Sequence, residues 1–190
     1  MNPDLLNSIV TFIVGLFAFL VYFLSKRSEK QNAATIVVMD IRHAEQVVLS
    51  ILEKGLVDKS LKNIISENNW AKYKHLFASD FSYDDFAAFN RFFDACVEIS
   101  YARNRMLEVF YANLISKASI SQQKIFDIED LGSPEGQIKK QKIISEFNNE
   151  VFVFDPDDPK VRIYQSLQLM GRLSNTVAFE KLKILAGIKS

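Results

Sequence analysis

The chain has 190 residues with 23 basic and 23 acidic side chains, so its formal charge is zero and no strong electrostatic field attracts it to nucleic acid. It has six glycines and four prolines, which disfavours an all-β fold with many tight turns. The single cysteine, Cys96, excludes an internal disulfide and a multi-cysteine zinc site, and it suits a reducing cytoplasm. We therefore expect an all-α protein without a nucleic-acid partner.

Residues 5–24, LLNSIVTFIVGLFAFLVYFL, form a run of 20 residues without a charge. A helix of that length spans about 30 Å, the thickness of the hydrocarbon core of a bilayer. A secretory signal would have a basic start and a small-residue cleavage site, and MNPDLLN has no basic residue. The sequence therefore predicts a short external tail and one transmembrane helix in segment 1–25. A buried core helix is the less favoured alternative.

Basic residues follow the apolar run directly, in the segment SKRSEK at 25–30. An excess of Lys and Arg marks the cytoplasmic side of a membrane protein. We expect a single-pass protein of the cytoplasmic membrane, with its N-terminus outside. A juxtamembrane helix at 26–57 and a cytoplasmic helical domain at 58–190 would follow the span.

Small or polar residues recur along one face of the predicted span at intervals of 3, 4, 3 and 4: Ser8, Thr11, Gly15, Ala18 and Tyr22. Small side chains let helix backbones approach closely, and hydroxyl groups can form hydrogen bonds across the contact. The spacing is that of a left-handed helix crossing. We expect this face to be a helix–helix interface in a homo-oligomer. A pore lined by its polar members is an alternative, as is a chance enrichment of small residues.

Apolar residues at helical spacing predict the first cytoplasmic elements in chain order. A helix over 35–55 either continues from the span or is hinged near Gln31–Asn32, with Gly55 as its C-cap. A pair of short helices follows at 58–68 and 69–77, with Asp58 as a candidate N-cap.

The strongest helical signal outside the span begins after Ser82, a predicted N-cap followed by two acidic residues that match the helix dipole. No proline or glycine interrupts residues 83–131, so the sequence predicts one long central helix or two helices with a bend near Ser116–Ser121. Helices of this length usually need a bundle to bury their apolar face.

Gly132 then ends the pattern, and Ser133 and Pro134 predict the N-cap and first position of a helix over 135–150. Residues 151–154, VFVF, are strand-like, and a turn at 155–159 precedes two short helices at 161–174 and 175–187. The predicted fold is all-α: a transmembrane helix and a cytoplasmic bundle with a long central helix and one short extended segment.

Residue types capable of chemistry do not form a recognisable site. A metal needs three or four converging ligands, and His43 and His75 are the two histidines. Cys96 lies among apolar residues, where a thiol behaves as a small hydrophobic group. The aspartates of 155–158 lack the glycine and glutamate of a calcium loop. Nucleotide-binding, hydrolase and metalloprotease motifs are missing as well. We expect no catalytic residue, no metal site, no cofactor and no enzymatic activity.

Arginines and tyrosines of the central helix allow two interpretations. They could line a groove for an anionic ligand, or the arginines could form surface ion pairs with nearby acids at helical spacing, which we favour. The residues are Arg91, Arg103, Arg105, Tyr101 and Tyr111, with Asp94, Glu98 and Glu108 as the acids.

The stretch NWAKYKHLF, followed by SYDDFAAFNRFFDACVEISYARNRM, resembles small uncharacterised bacterial proteins that place one N-terminal span before a helical cytoplasmic domain. The resemblance covers roughly residues 1–125 and rests on an aromatic-rich helical pattern. Some proteins of this build occur among phage-defence and mobile-element genes, which implies a role as a membrane effector or its accessory. The resemblance supplies no functional residue.

We therefore expect a membrane-anchored oligomerising protein that acts as a sensor-effector or scaffold through protein–protein assembly. Its expected partners are the lipid bilayer, further copies of the chain and a cytoplasmic protein. The alternative is a membrane-disrupting, pore-forming or depolarising effector of abortive infection. An enzyme whose site has no recognisable motif is a third, less favoured class.

Overall fold

A computed structural model describes residues 3–54, 61–149 and 157–188, with side chains for 10–53 of the first range. Within these ranges the fold is all-helical, without a strand, as predicted. Its α-helices are α1 (Pro3–Lys54), α2 (Asn69–Tyr73), α3 (Tyr83–Phe126), α4 (Pro134–Asn149), α5 (Asp157–Met170) and α6 (Val177–Leu185), and a 3₁₀ turn at Lys74–Phe77 follows α2. The predicted strand at 151–154 and the caps Asp58 and Gly55 lie outside the described residues.

Helix α1 joins the apolar run to the bundle without interruption. It has 52 residues, which corresponds to a length of about 78 Å. Of the two alternatives for its middle, continuation is the one observed, because residues on both sides of Gln31–Asn32 are helical. The predicted boundary between residues 25 and 26 therefore lies inside one helix.

The hydrophobic core consists of residues from nearly every helix, packed around the second half of α1. Val37, Val38 and Ile41 of α1 are fully buried. They belong to one cluster with Trp70, with a phenylalanine-rich face of α3, and with apolar residues of α5 and α6. The most extensive helix pairing is between α3 and α5, while α6 packs on α1. The bundle thus encloses α1 only beyond residue 32.

An aromatic cluster fills the space between α2 and the start of α3. The Trp70 ring lies 4.6 Å from that of Phe89 and 5.1 Å from that of Phe86, measured between ring centroids. Its indole Nε1 donates a hydrogen bond of 2.8 Å to Asn90 Oδ1. Because the polar edge of the indole is satisfied, the large ring is buried without an orphaned donor.

The predicted helix over 58–68 is wrong for its described part, since residues 61–68 are irregular. Leu61, Ile64 and Ile65 are buried, so their spacing reflects contact with the bundle rather than a helix. Side chains from other helices contact two backbone carbonyls of this segment. Arg103 Nε donates to the Leu61 carbonyl at 2.6 Å, and His43 Nε2 lies 3.1 Å from the Asn63 carbonyl. Asparagine, serine and isoleucine are modest helix formers, which favours this arrangement.

Helix α3 begins as predicted and forms a single helix. Ser82 and Asp85 form a capping box, in which Ser82 Oγ accepts from the Asp85 amide and Asp85 Oδ2 accepts from the Ser82 amide, both at 3.2 Å. The helix passes the predicted bend at 116–121 without a break and ends at Phe126, five residues before the predicted limit.

The last three helices follow the predicted order. Ser133 caps α4 by accepting a hydrogen bond from the Gly136 amide at 3.0 Å, and Pro134 takes the first helical position. A Cβ atom on Gly136 would lie 1.9 Å from the Asp130 carbonyl oxygen, so the close turn into α4 requires glycine. Thr176 caps α6, which lies within its predicted segment. Helix α5 begins at Asp157, inside the predicted turn at 155–159 and four residues before its predicted start.

Candidate functional site

The apolar half of α1 is exposed over all of its described side chains. Every residue from Val10 to Leu24 is exposed, including Phe12 at 72% and Phe19 at 65%. The helix is long and apolar enough to cross a membrane, and none of its most apolar stretch is buried. The core-helix alternative is therefore disfavoured, because a core helix of that composition would be enclosed by the bundle.

The predicted interface residues share one exposed face of this segment. Successive helical residues are rotated by 100°, which places Thr11, Gly15, Ala18 and Tyr22 within one narrow sector. These four are exposed, and the side chain of Ser8 lies outside the described ones. No other described part of the chain comes within 4 Å of the position that a Cβ atom on Gly15 would take. The face is thus open to another molecule, and its role as a helix–helix interface stays a prediction.

The bundle contacts α1 directly at the end of the apolar run. Lys30 Nζ lies 2.6 Å from Asp80 Oδ2, which follows the 3₁₀ turn. On the other side, Gln31 Nε2 donates to the Ala186 carbonyl at 3.3 Å, and Thr35 Oγ1 lies 3.5 Å from the same oxygen. Two separate elements therefore hold α1 within about two turns of Leu24.

Gly187 allows the end of α6 to approach α1. Its φ is 71°, a left-handed conformation that often follows the last turn of a helix. Glycine adopts this conformation at little energetic cost because it has no Cβ atom. A Cβ atom at this position would also lie 2.5 Å from Gln31 Nε2. The left-handed conformation favours glycine, and a side chain at this position would displace the Gln31 amide from the end of α6. We call the region formed by Arg27, Lys30, Gln31 and the end of α6 the junction.

The junction borders a groove of about 310 Å³ lined by Arg27, Lys30, Gln31, Ile184, Leu185 and Gly187. A second groove of about 440 Å³ lies at a similar level of α1, and its charged lining residue is Glu29, beside Ser25, Ser28 and Asn32. The two grooves therefore differ in charge: the first contains two cations, and the second contains one acid.

The structure places the other chemically capable residues apart from one another. No group of three or more metal-ligating side chains occurs in the described part of the chain. His43 and His75 are exposed, and His43 contacts the backbone of residue 63. Burial raises the pKa of the Cys96 thiol to about 12, so the reactive thiolate is strongly disfavoured at neutral pH. Cys96 is thus a core residue.

The arginines of α3 have different partners and do not line one groove together. Arg105 pairs with Glu108 at 3.1 Å, as the surface ion-pair interpretation predicts. Arg103 instead donates to the Leu61 carbonyl and holds the irregular segment against α3. Arg91, Tyr101 and Tyr111 are exposed.

Sequence reasoning missed the junction. Gln31 and Ala186 are 155 positions apart, and no local pattern indicates their contact. Gly187 carries the one available signal, because a glycine after an apolar helical stretch predicts a C-cap. Asp80, two residues before the predicted N-cap Ser82, has no comparable signal for its pairing with Lys30.

Comparison of the chain with protein-family models, with curated proteins and with solved structures finds no match in any of the three. The resemblance to bacterial single-span proteins of phage defence therefore stays a prediction.

Proposed function

We propose that this chain is a single-pass membrane protein that acts by assembly, with its membrane helices associating and its helical bundle binding a cytoplasmic protein. One observation carries the proposal: an apolar segment with no protein cover continues, in the same helix, into the core of a folded bundle. Exposed apolar surface of this extent is stable when lipid or another protein covers it. The basic residues after the segment favour a cytoplasmic bundle and an outside N-terminus.

The continuous helix supplies the physical link between the two parts. Association of spans rotates or shifts the exposed half of α1, and a helix without a hinge transmits that movement to Ala33 and the core beyond it. The contacts at Lys30 and Gln31 reduce bending where the helix leaves the apolar run. A sensor-effector or scaffold can use this coupling in either direction, because binding to the bundle and association in the membrane then affect each other equally.

The test compares substitutions on two faces of the span. Gly15→Ile and Ala18→Ile enlarge the small-residue face, and we expect each to weaken association of the full-length protein roughly tenfold, on the order of 1–2 kcal/mol. Leu20→Ala changes volume on the opposite face and should leave association within about twofold. Energy transfer between labelled copies, measured over a range of protein-to-lipid ratios, gives the association constant. A protein that stays monomeric in membranes, or a Gly15→Ile variant that associates like the parent, would refute assembly through this face.

The same variants separate assembly from membrane disruption. Induced expression with a potential-sensitive dye measures depolarisation directly. Assembly predicts an intact potential in cells that contain associated protein. Depolarisation that requires residues 1–25 and disappears with Gly15→Ile would instead support the membrane-disrupting alternative.

A further inference from the structure

The groove at the junction combines two cations with an apolar wall. Arg27, Lys30 and Gln31 are spaced i, i+3 and i+4, so they lie on the same face of α1. Ile184, which is 71% exposed, and Leu185 form the opposite wall on α6. Guanidinium and ammonium groups are the usual partners of phosphate oxygens. The Gln31 amide donates a hydrogen bond to the Ala186 carbonyl beside the groove.

The position along α1 places this groove beside lipid headgroups. Arg27 and Lys30 follow Leu24 by three and six residues, which is about 4.5 and 9 Å along the helix axis. The headgroup layer of a bilayer is about 5–8 Å thick on each side of the hydrocarbon core. With Leu24 at the end of the hydrocarbon core, Arg27 would lie within that layer and Lys30 just beyond it.

Arg27 differs from the neighbouring lysines, which are both paired with acidic side chains. Lys26 pairs with Glu29 at 2.8 Å, and Lys30 pairs with Asp80. Among the described residues, no ion pair or side-chain hydrogen bond involves Arg27.

We propose that the junction groove binds the headgroup of an anionic phospholipid, with its phosphate on Arg27, beside the Asp80-paired Lys30, and its glycerol carbons against Ile184 and Leu185. The inference rests on the proposed membrane span and adds a lipid ligand to it. The volume, about 310 Å³, suits a headgroup rather than a whole lipid, which leaves the acyl chains in the bilayer. The second groove, with Glu29, offers no cation to a phosphate and should show no such preference.

The experiment measures lipid selectivity of the full-length protein in phosphatidylcholine vesicles containing 20% phosphatidylglycerol. Spin-labelled phosphatidylglycerol and phosphatidylcholine report how many lipids of each type the protein immobilises. We expect a preference for phosphatidylglycerol that falls about fivefold in Arg27→Gln. Arg27→Lys should retain most of it. Lys26→Gln removes the same charge one residue away but outside the groove, and it should change the preference by less than about twofold.

The outcomes are distinct. Equal losses in Arg27→Gln and Lys26→Gln would show a general surface charge effect and overturn the groove. Glycerol phosphate that displaces the spin-labelled lipid at equal concentration would identify a site for soluble phosphate and overturn the lipid assignment. Extraction of the protein by alkaline carbonate would refute the span, and the proposed function with it, whereas firm insertion without selectivity refutes this inference alone.

Discussion

Both halves of α1 contain many aliphatic residues, but the environments of these residues are opposite. Val14 is 62% exposed in the first half, while Val37 and Val38 are fully buried in the second. The first half is apolar on all sides, and the second alternates buried residues with polar ones such as Asp40 and Glu45. The presence of aliphatic residues alone therefore does not separate a candidate span from a core helix. The distribution of polar residues around the helix does, because a core helix keeps one solvated face.

The same comparison explains where the chain can tolerate a charge. In the second half, Asp40 accepts a hydrogen bond from Asn69 Nδ2 at 2.9 Å, and Glu45 Oε1 accepts one from the Ser174 amide at 2.9 Å. These acids sit at the edge of the buried face and bind other elements to α1. The first half contains no such position between residues 10 and 24, where every side chain is exposed and uncharged.

The largest expected effect comes from placing the same charge in each half. Val38→Asp buries a carboxylate in the core, which costs several kcal/mol, a large part of the roughly 5–15 kcal/mol that stabilises a typical domain. We expect it to unfold the bundle, as measured by circular dichroism and by the fluorescence of Trp70, the single tryptophan.

Val14→Asp is the matched variant in the exposed half. It should leave the bundle's free energy of unfolding within about 0.5 kcal/mol, and it should weaken membrane insertion by about 2.5–3.5 kcal/mol. Carbonate extraction measures insertion. A Val14→Asp variant that unfolds the bundle would show that the first half has a protein partner within the chain, and the contrast between the halves would fail.

Trp70→Ala tests how strongly the aromatic cluster supports the buried half. The ring is 1% exposed and contacts several phenylalanines, so its removal should lower the free energy of unfolding by about 3–5 kcal/mol. Urea denaturation followed by circular dichroism measures the loss. Tyr83→Ala removes an aromatic ring that is 87% exposed and should change stability by less than about 0.5 kcal/mol. Similar losses in both variants would contradict a single aromatic core.

Local signals predicted the elements with a strong N-terminal signature. The capping box at Ser82 and the Ser133–Pro134 start of α4 each depend on residues within one turn, so the sequence contains the whole arrangement. The helix over 58–68 failed in its described part for the opposite reason. Its backbone partners, Arg103 and His43, come from distant elements, and the spacing of Leu61, Ile64 and Ile65 imitates a helix.

The candidate site also has one part that local sequence predicts and one part that depends on tertiary contacts. The small-residue face of the span follows from spacing alone, but its openness required knowledge of where α3, α5 and α6 pack. The junction depends on contacts such as Gln31 to Ala186, which tertiary packing creates. Sequence reasoning therefore identified the half of α1 whose described side chains are exposed, and it missed the groove that the fold forms beside it.

Asp85→Asn should have a smaller effect on the free energy of unfolding, and this effect should depend on pH. Burial acts to raise the pKa of the Asp85 carboxyl, and the hydrogen bonds from Ser82 together with Lys181 at 3.2 Å outweigh it, so the pKa lies below its ordinary value. A lowered pKa means that the carboxylate stabilises the fold above about pH 4, the ordinary value, and that this contribution is lost as pH falls through the folded-state pKa. Asp85→Asn should cost about 0.5–1 kcal/mol at pH 7.

The control for Asp85→Asn is Asp84→Asn, which removes a neighbouring acid of the same first turn that is exposed. It should cost less, because it changes only the interaction with the helix dipole. Urea denaturation at pH 7 and pH 3 measures both variants, and the cost of Asp85→Asn should shrink at pH 3. A cost that is independent of pH would show that the shape of the side chain, and not its charge, determines the cap.

The smallest expected effect is an increase in the free energy of unfolding, and it comes from Asp40 in the buried half of α1. Burial raises the pKa of Asp40, and the hydrogen bond from Asn69 and the nearby His43 only partly offset it, while Glu67 adds to the increase. A raised pKa means that Asp40 favours the fold below about pH 4 and that this contribution is lost as pH rises through the folded-state pKa. Asp40→Asn should therefore stabilise the bundle at pH 7, by less than about 1 kcal/mol because the group is partly solvated.

Asp40→Asn and Asp85→Asn should thus shift the urea midpoint at pH 7 in opposite directions and converge towards the parent protein at low pH. Asparagine can still accept the Asn69 hydrogen bond, so a loss of stability at pH 7 would mean that the negative charge itself holds α2 against α1. In that case even the buried half of α1 would depend on a charge for its attachment to the bundle, and its difference from the uncharged exposed half would be electrostatic as well as steric.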